Sequence, residues 1–372
     1  MNIKIILLII LVILCIIGLY KIQENFDETK IKTQEFATNS MKNYDQLKYQ
    51  PYIDKYFAPI DIIDLRKIEV RNDNLIFCSI ASYRDKECPL TVIDMINKAK
   101  YPQNLVICIC QQNDVEDISC FDSYDLKQAK IIKINMISHD AYGPCWARYL
   151  IQQKWTGEQY FLQIDSHMRF VQDWDQTCIN DLNMLPDKSC LTNYVSSYNL
   201  QTGIPDKDNQ LRGPLKIVNH ETSEFDGFFR VNSEFINTPQ YKPVLAYGWS
   251  ACFSFSKSDI LHVASYDPFL KFLFFGEEMS IWARLYTHGW HVYNSSVICF
   301  TNFDRSYRPT FWQNPDQAHV EYLSRIRLYY LFGYLQDIPK ELKINLNDYS
   351  LGLSKTWQEF LKFSLDEEKL NT

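Results

Sequence analysis

From Asn74 onward the chain alternates between two hydrophobic periods. "NLIFCSIAS" is a near-continuous apolar run, "CPLTVIDMINKAK" spaces its apolar residues three and four apart, and "NLVICICQQ" returns to a continuous run. Continuous runs of this length read as strands buried on both faces, and the spaced segment reads as a helix. "AKIIKINMIS" predicts another buried strand, "PCWARYLIQQKW" a helix and "EQYFLQI" the next strand. Strands that alternate with helices predict βαβ units, hence an α/β fold with a mostly parallel central sheet covered on both faces. "CLTNYVSSYN" and "WSACFSFS" read as further strands. Residues 200 to 245 lie between them and are broken by Pro205, Pro214, Pro239 and Pro243, so they read as loop. "FFGEEMSIWARLYTHGW" predicts a helix from Glu277 to Thr287, opened by Gly276 and ended by Gly289. "HVYNSSVICFTNF" follows as a strand, and the last 35 or so residues read as an accessory helical tail.

The N-terminus departs from this pattern. Ile5 to Tyr20 carries no charge. Sixteen helical residues span about 24 Å against a hydrocarbon core of about 30 Å, and Lys4 and Lys21 can snorkel to make up the difference. No small-x-small cleavage site follows, so the run reads as an uncleaved anchor. The expected organisation is a membrane anchor at 1–21, a polar stem at 22–70, a catalytic domain at 71–335 and a tail at 336–372. Counting Lys and Arg alone points the C-terminal domain to the cytosol. The usual single-pass arrangement in a Golgi or ER-type membrane points it to the lumen.

Composition narrows the function. With 372 residues, 46% of them apolar, the chain can bury a large core. A net charge of -7, with Lys and Arg dispersed, argues against nucleic acid as a partner. Eleven cysteines include no CxxC pair, which argues against a zinc ribbon. Cys78, Cys108, Cys110 and Cys299 sit in apolar runs and read as small hydrophobes. Asn294 opens the glycosylation sequon "NSS".

The candidate chemistry collects at strand ends. In an open α/β sheet the ligand lies outside the carboxyl ends of the strands. Asp165-Ser166-His167 falls at such an end, as do Ser82-Tyr83-Arg84-Asp85 and Gln111-Gln112. Asp165 and His167 are two apart, so in extended chain they face the same side. A carboxylate and an imidazole placed so can share Mg²⁺ or Mn²⁺ and leave positions open for substrate phosphates. Glu277 and Glu278 begin the predicted helix, where its dipole favours them and where one can orient a sugar or acceptor hydroxyl. Arg284, two turns on, is spaced to hold Glu277. Arg148, after Gly143-Pro144, can pair with a phosphate or a surface carboxylate. Asp173 or Asp175 is placed to cap the helix that follows "MRFVQ", and Trp174 reads as core.

The ordered motifs "IASYRDKEC", "GPCWAR", "GEQYFLQIDSHMRFVQDWD", "FLFFGEEMSIWARLYTHGW" and "RSYRPTFW" resemble the family of N-acetylglucosaminyltransferases typified by the slime-mould enzyme acting on hydroxyproline. That family is similar to the polypeptide N-acetylgalactosaminyltransferases. The resemblance runs from Asn74 to Trp312. It implies a GT-A nucleotide-diphosphosugar transferase fold and a UDP-GlcNAc donor. It also implies Mn²⁺ or Mg²⁺, a protein or glycan acceptor, and retention of anomeric configuration. On the matching positions, Asp165 and His167 become metal ligands, Arg148 a donor-site residue, and Glu277 a neighbour of the sugar or acceptor. Ser82, Arg84, Asp85 and Gln111 fall at the nucleotide pocket. One position departs from the family pattern: Thr301 stands where relatives carry a third, histidine ligand. Asp304, His291 or water is left to compensate. Loss of that ligand also admits a degenerate transferase that binds without turnover. A two-metal hydrolase would need more clustered carboxylates or histidines than seven scattered histidines supply.

Overall fold

The computed structural model describes residues 27–120, 129–205, 215–235, 242–296 and 299–365. The apolar run Ile5 to Tyr20 lies outside them. Among the described residues no helix is long and apolar enough to cross a membrane.

The centre is an eight-stranded sheet. Its strands are β1 (Ile76–Tyr83), β2 (Leu105–Asn113), β3 (Lys130–Ile137), β4 (Tyr160–Asp165), β6 (Ser189–Thr192), β10 (Val244–Leu245), β11 (Phe253–Lys257) and β12 (His291–Asn294). They run in the order β10-β12-β6-β11-β4-β1-β2-β3. β4, β1, β2 and β3 are mutually parallel, as are β6 and β12, while β11 is antiparallel to both its neighbours. The continuous apolar runs arise because both faces are covered. Ile76, Cys78 and Ile80 pack with Val92 and Met95 of helix α3 (Cys88–Lys98) and with Trp174, Cys178 and Leu182 of α5 (Trp174–Asn183). Phe77 packs on the opposite face with Ala147 and Ile151 of α4 (Pro144–Gln152) and with Ile281 and Trp282 of α7 (Glu277–Thr287). The short helix α6 (Leu261–Ala264) joins this second core.

Several expectations need correction. β3 is an edge strand and half-exposed, because no strand among the described residues pairs beyond it. Residues 200 to 245 include the antiparallel hairpin of β8 (Leu215–Thr222) and β9 (Phe229–Phe235). "HVYNSSVICFTNF" divides between β12 and β13 (Phe300–Thr301), and β13 joins β5 (Met168–Arg169) and β7 (Ser196–Ser197) in a separate small sheet. Asn294 is fully buried and its side chain accepts from Ile217 N at 2.9 Å, so the sequon offers no surface acceptor in the folded chain. Asp173 makes no side-chain cap, and Asp175 instead accepts from Lys100 N and Tyr101 N. Trp174 is buried, with Nε1 donating to the Met95 carbonyl. The ten cysteines among the described residues are free thiols.

The polar segment before the sheet packs on the domain from residue 27 on. Helix α1 spans 27–42 and α2 spans Gln46–Tyr56, capped by Asp45 accepting from Leu47 N. Tyr49, Ile53, Tyr56 and Phe57 bury against Val320, Leu323 and Ile326 of α8 (Gln317–Leu331). On α1, Thr33 Oγ1 donates to the Gly227 carbonyl in the turn between β8 and β9. Gly227 has φ +69°, and a Cβ there would meet Thr33 Cα at 2.9 Å. At the other end α9 (Trp357–Ser364) opens with a Thr356/Glu359 capping box and buries Phe360 against Trp282. Both flanks therefore belong to the core that holds the hairpin and α7.

Candidate active site

Parallel pairing brings three polar strand ends together. The register sets Ala81 beside Asp165 and Tyr83 beside Gln112. Their carboxyl ends open on a cleft of about 420 Å³, walled by β9, the start of α7 and the segment from Thr301 to Trp312. Alternation along β1 decides which residues reach it. Ala81 and Tyr83 line the cleft. Ser82 is buried, its carbonyl accepting from Gln112 Nε2. On β2, Gln112 lines the cleft, whereas Gln111 Oε1 accepts from Cys120 N at 2.6 Å. Arg84 turns toward Asp114, Glu116 and Asp117, with pairs of 2.7 to 3.0 Å. The structure thus leaves Ser82, Arg84 and Gln111 outside the cleft wall.

Asp165 and His167 do face one another, with His167 Nε2 3.9 Å from Asp165 Oδ2. His167 Nδ1 lies 2.9 Å from Oδ2 of the buried Asp85. Burial raises the Asp85 carboxyl, but hydrogen bonding to His167 and the nearby charges of His167 and Arg308 outweigh it and hold the group well below the usual carboxylate range. An ionised carboxylate only accepts, so Nδ1 is the nitrogen that donates to Asp85, and Nε2 is the one turned toward Asp165. That is the arrangement of a metal-ligating histidine, and the residues fit a divalent cation with open positions. Among the described residues no group of three or more His, Cys, Asp or Glu side chains is placed to hold a metal ion. Thr301 lines the cleft beside the pair, and its hydroxyl donates to the His167 carbonyl at 3.2 Å. His291 is the first residue of β12 and does not line the cleft; nor does Asp304, whose carboxylate accepts from Ser306 N.

The carboxylates of α7 have different surroundings. Gly276, with φ +102°, starts the helix, and a Cβ there would meet the Phe228 ring at 2.9 Å. Glu277 is buried and paired with Arg148, and it accepts from Tyr266 OH at 2.5 Å. Arg148 Nη2 reaches Asp165 Oδ1 at 2.9 Å. Arg148 is therefore buried between two carboxylates at the cleft and is not part of a surface ion pair. Arg284 does not hold Glu277: it donates to the Ser265 and Val263 carbonyls. Glu278 is half-buried at the cleft and accepts from Ala251 N. Burial, with Glu277 adjacent, pushes its carboxyl up to about 7.

The segment after β13 holds what the sequence reading left without a role. Arg305 lines the cleft between the rings of Phe274 and Trp312, 5.1 and 5.3 Å from their centroids. Burial lowers its pKa, with the charge of Asp165 opposing. It forms no ion pair among the described residues. Phe275, Phe303 and Trp312 stand 39 to 49% exposed around the cleft mouth. "RSYRPTFW" carried the signal for Arg305 and Trp312, but only the fold shows which way the segment faces.

No curated protein matches this chain. Among solved structures, it is similar to GalNAc-T7 in complex with UDP, GalNAc and Mn²⁺, with TM-score 0.50, 14% identity, and coverage of 76% of this chain and 56% of that one. A mannosyltransferase from Pyrobaculum calidifontis in complex with GDP-Man and Mn²⁺ aligns with TM-score 0.37 and 11% identity over 87% and 80% of the two chains. TarS residues 1–349 from S. aureus align with TM-score 0.39 and 10% identity over 74% and 80%. The chain thus spans little more than half the length of the GalNAc-T7 structure, whose fold it shares, in keeping with the expected GT-A architecture. The family model described as Glycosyltransferase (GlcNAc) matches residues 75–131 and 121–368, which take in every strand of the sheet, Asp165, His167 and α7. With most of its length so matched, the chain belongs to the GlcNAc glycosyltransferase family.

Proposed function

We propose that this glycosyltransferase moves GlcNAc from UDP-GlcNAc to a hydroxyl of a protein or glycan, with retention of configuration. The observation that carries the reading is the Asp165–His167 pair at the cleft, with the imidazole held by Asp85 so that Nε2 faces Asp165. A divalent cation bound there, Mn²⁺ or Mg²⁺, would neutralise the donor diphosphate. Arg305, without a carboxylate partner among the described residues, supplies a cation for charge on the departing UDP. Arg148 serves the donor side by fixing Asp165 and Glu277 rather than by meeting phosphate directly. Glu277 is held by Arg148 and Tyr266, so no free side-chain nucleophile is offered there. Glu278, near neutral pH in its proton equilibrium, can orient the incoming hydroxyl. The exposed rings of Phe275, Phe303 and Trp312 give the acceptor an apolar, planar seat.

The test is UDP release from a panel of UDP-sugars with Mn²⁺, using residues 22–372 and Asp165→Ala as control. Release with UDP-GlcNAc that disappears in the variant supports the reading. Release with another UDP-sugar instead would overturn the donor assignment. Thr301 in the cleft favours a second reading, a chain that binds a sugar nucleotide without turnover. UDP binding without release, with or without candidate acceptors, would support that one.

A further inference from the structure

Asp85 has more partners than a site carboxylate needs for one task. It is 2% exposed and lies behind the cleft wall, at the end of β1. Oδ2 accepts from Ser166 Oγ at 2.7 Å and His167 Nδ1 at 2.9 Å. Oδ1 accepts from Tyr307 OH at 2.8 Å and from Glu87 N at 3.0 Å. Arg308 Nε stands 3.4 Å from Oδ2, while its Nη1 donates to the Tyr83 carbonyl at 2.9 Å. Two of these partners hold the Asp165-Ser166-His167 turn. Two others belong to the segment that carries Phe303, Arg305 and Trp312 over the cleft.

We propose that Asp85 is a positioning residue shared by the two halves of the site: one oxygen fixes the imidazole of His167, and the other anchors the segment from Phe303 to Trp312. The inference rests on the reading of Asp165 and His167 as a cation site. An ionised carboxylate offers about four lone-pair directions and no proton. Here they are all taken, so the geometry fixes Nδ1 of His167 as the donor to Asp85 and turns Nε2 toward Asp165. Ser166 does not compete for Nδ1, because its hydroxyl is 2.7 Å from Asp85 and 3.4 Å from the imidazole. Tyr307 and Arg308 converge on the same buried anion, so the aromatic wall and the imidazole share a single support. Burial at 2% keeps water from substituting for any of the donors.

Asp85→Asn separates this role from a general structural one. The amide cannot accept from every donor, and its NH₂ opposes the Nδ1–H. Three properties of residues 22–372 are to be measured. They are Mn²⁺ affinity in the presence of UDP from the free-Mn²⁺ EPR signal, the rate of trypsin cleavage after Arg305 by mass spectrometry, and the His167 tautomer from long-range ¹H–¹⁵N correlation in cation-free protein. Asp85→Asn is expected to weaken Mn²⁺ binding 10- to 100-fold, to speed cleavage at least about fivefold, and to shift His167 away from the Nδ1–H tautomer. Tyr307→Phe removes one donor from the segment side only. It is expected to speed cleavage while leaving Mn²⁺ affinity within threefold and the tautomer unchanged. It also keeps the idea testable if Asp85→Asn fails to fold. A wild-type Nε2–H tautomer would overturn the proposal. So would Asp85→Asn that changes only one side of the site, or Tyr307→Phe with wild-type cleavage. Failure of the wild-type protein to bind Mn²⁺ with UDP would overturn the cation reading instead. The tautomer and the cleavage rates would then still decide the case of Asp85.

Discussion

Arg148→Met is the sharpest test of the buried charge arrangement. Methionine keeps the length and apolar bulk of the arginine stem and removes only the guanidinium. At 2.9 Å, the Arg148–Asp165 pair is worth about 6 kcal/mol of Coulomb attraction at an effective dielectric of 20. The Glu277 pair is at least as close. Most of that attraction only offsets the desolvation of three buried or part-buried ions, so the net value of the network in the folded protein is small. The cost of breaking it is not small, because Glu277 is 4% exposed and would be left with Tyr266 alone. Removing one partner of such a buried pair costs about 3–5 kcal/mol. Urea unfolding of residues 22–372 at pH 8 reads the loss. Arg148→Met/Glu277→Gln removes the orphaned charge and should regain at least half of the loss at pH 8. A loss below about 1 kcal/mol at pH 8, or a double variant no more stable than the single one, would refute the account of Arg148 as the counter-ion of two carboxylates.

The other predictions are independent of that pair. Glu278 has its folded pKa raised from 4.5 to about 7. Its contribution to stability is therefore complete below pH 4.5 and is lost as pH rises through 7, to the extent of about 3 kcal/mol. The stability difference between wild type and Glu278→Gln, measured by urea unfolding at pH 4.5 and 8, should change by that order across the interval. Arg305→Ala should raise KM for the UDP-sugar at least tenfold with little change in thermal midpoint, since Arg305 makes no ion pair among the described residues. Trp312→Ala should raise KM for the acceptor several-fold while UDP affinity, measured by calorimetry, stays put. A chain beginning at residue 58 loses Tyr49, Ile53, Tyr56 and Phe57 from the core. At about 2 kcal/mol per buried side chain it should fail to give a cooperative thermal transition, whereas residues 22–372 should give one. Residues 1–21, proposed as an anchor, should hold the full chain in the membrane pellet after carbonate extraction and release it when deleted.

The strands were legible because both faces of the sheet are covered, which turns β1, β2 and β4 into short continuous apolar runs. The α7 boundaries were legible for a local reason as well, since Gly276 and Gly289 both adopt positive φ. The hairpin of β8 and β9 was obscured by the prolines around it, and its turn is held by α1, some 190 residues away. The packing of α1 and α2 was hidden too, because each buries only a narrow stripe and their polar faces dominate the composition.

Residues two apart in a strand face one side. Asp165 and His167 do meet, although His167 lies past the end of β4, in the turn. Applied to β1, the rule puts Ala81 and Tyr83 in the cleft and turns Ser82 away from it. Pairing Tyr83 with Gln112 then selects Gln112 over Gln111, although this step needs the register between strands. Asp85 and Arg148 lie beyond any such rule. Each is polar and each follows a plausible site motif, but their roles depend on partners up to 222 and 129 residues away. A local pattern shows which side chains can reach a ligand. Only the packed fold shows which of them are already taken, and that distinction sets Arg148 between two carboxylates and underlies the proposal that Arg305 meets the donor.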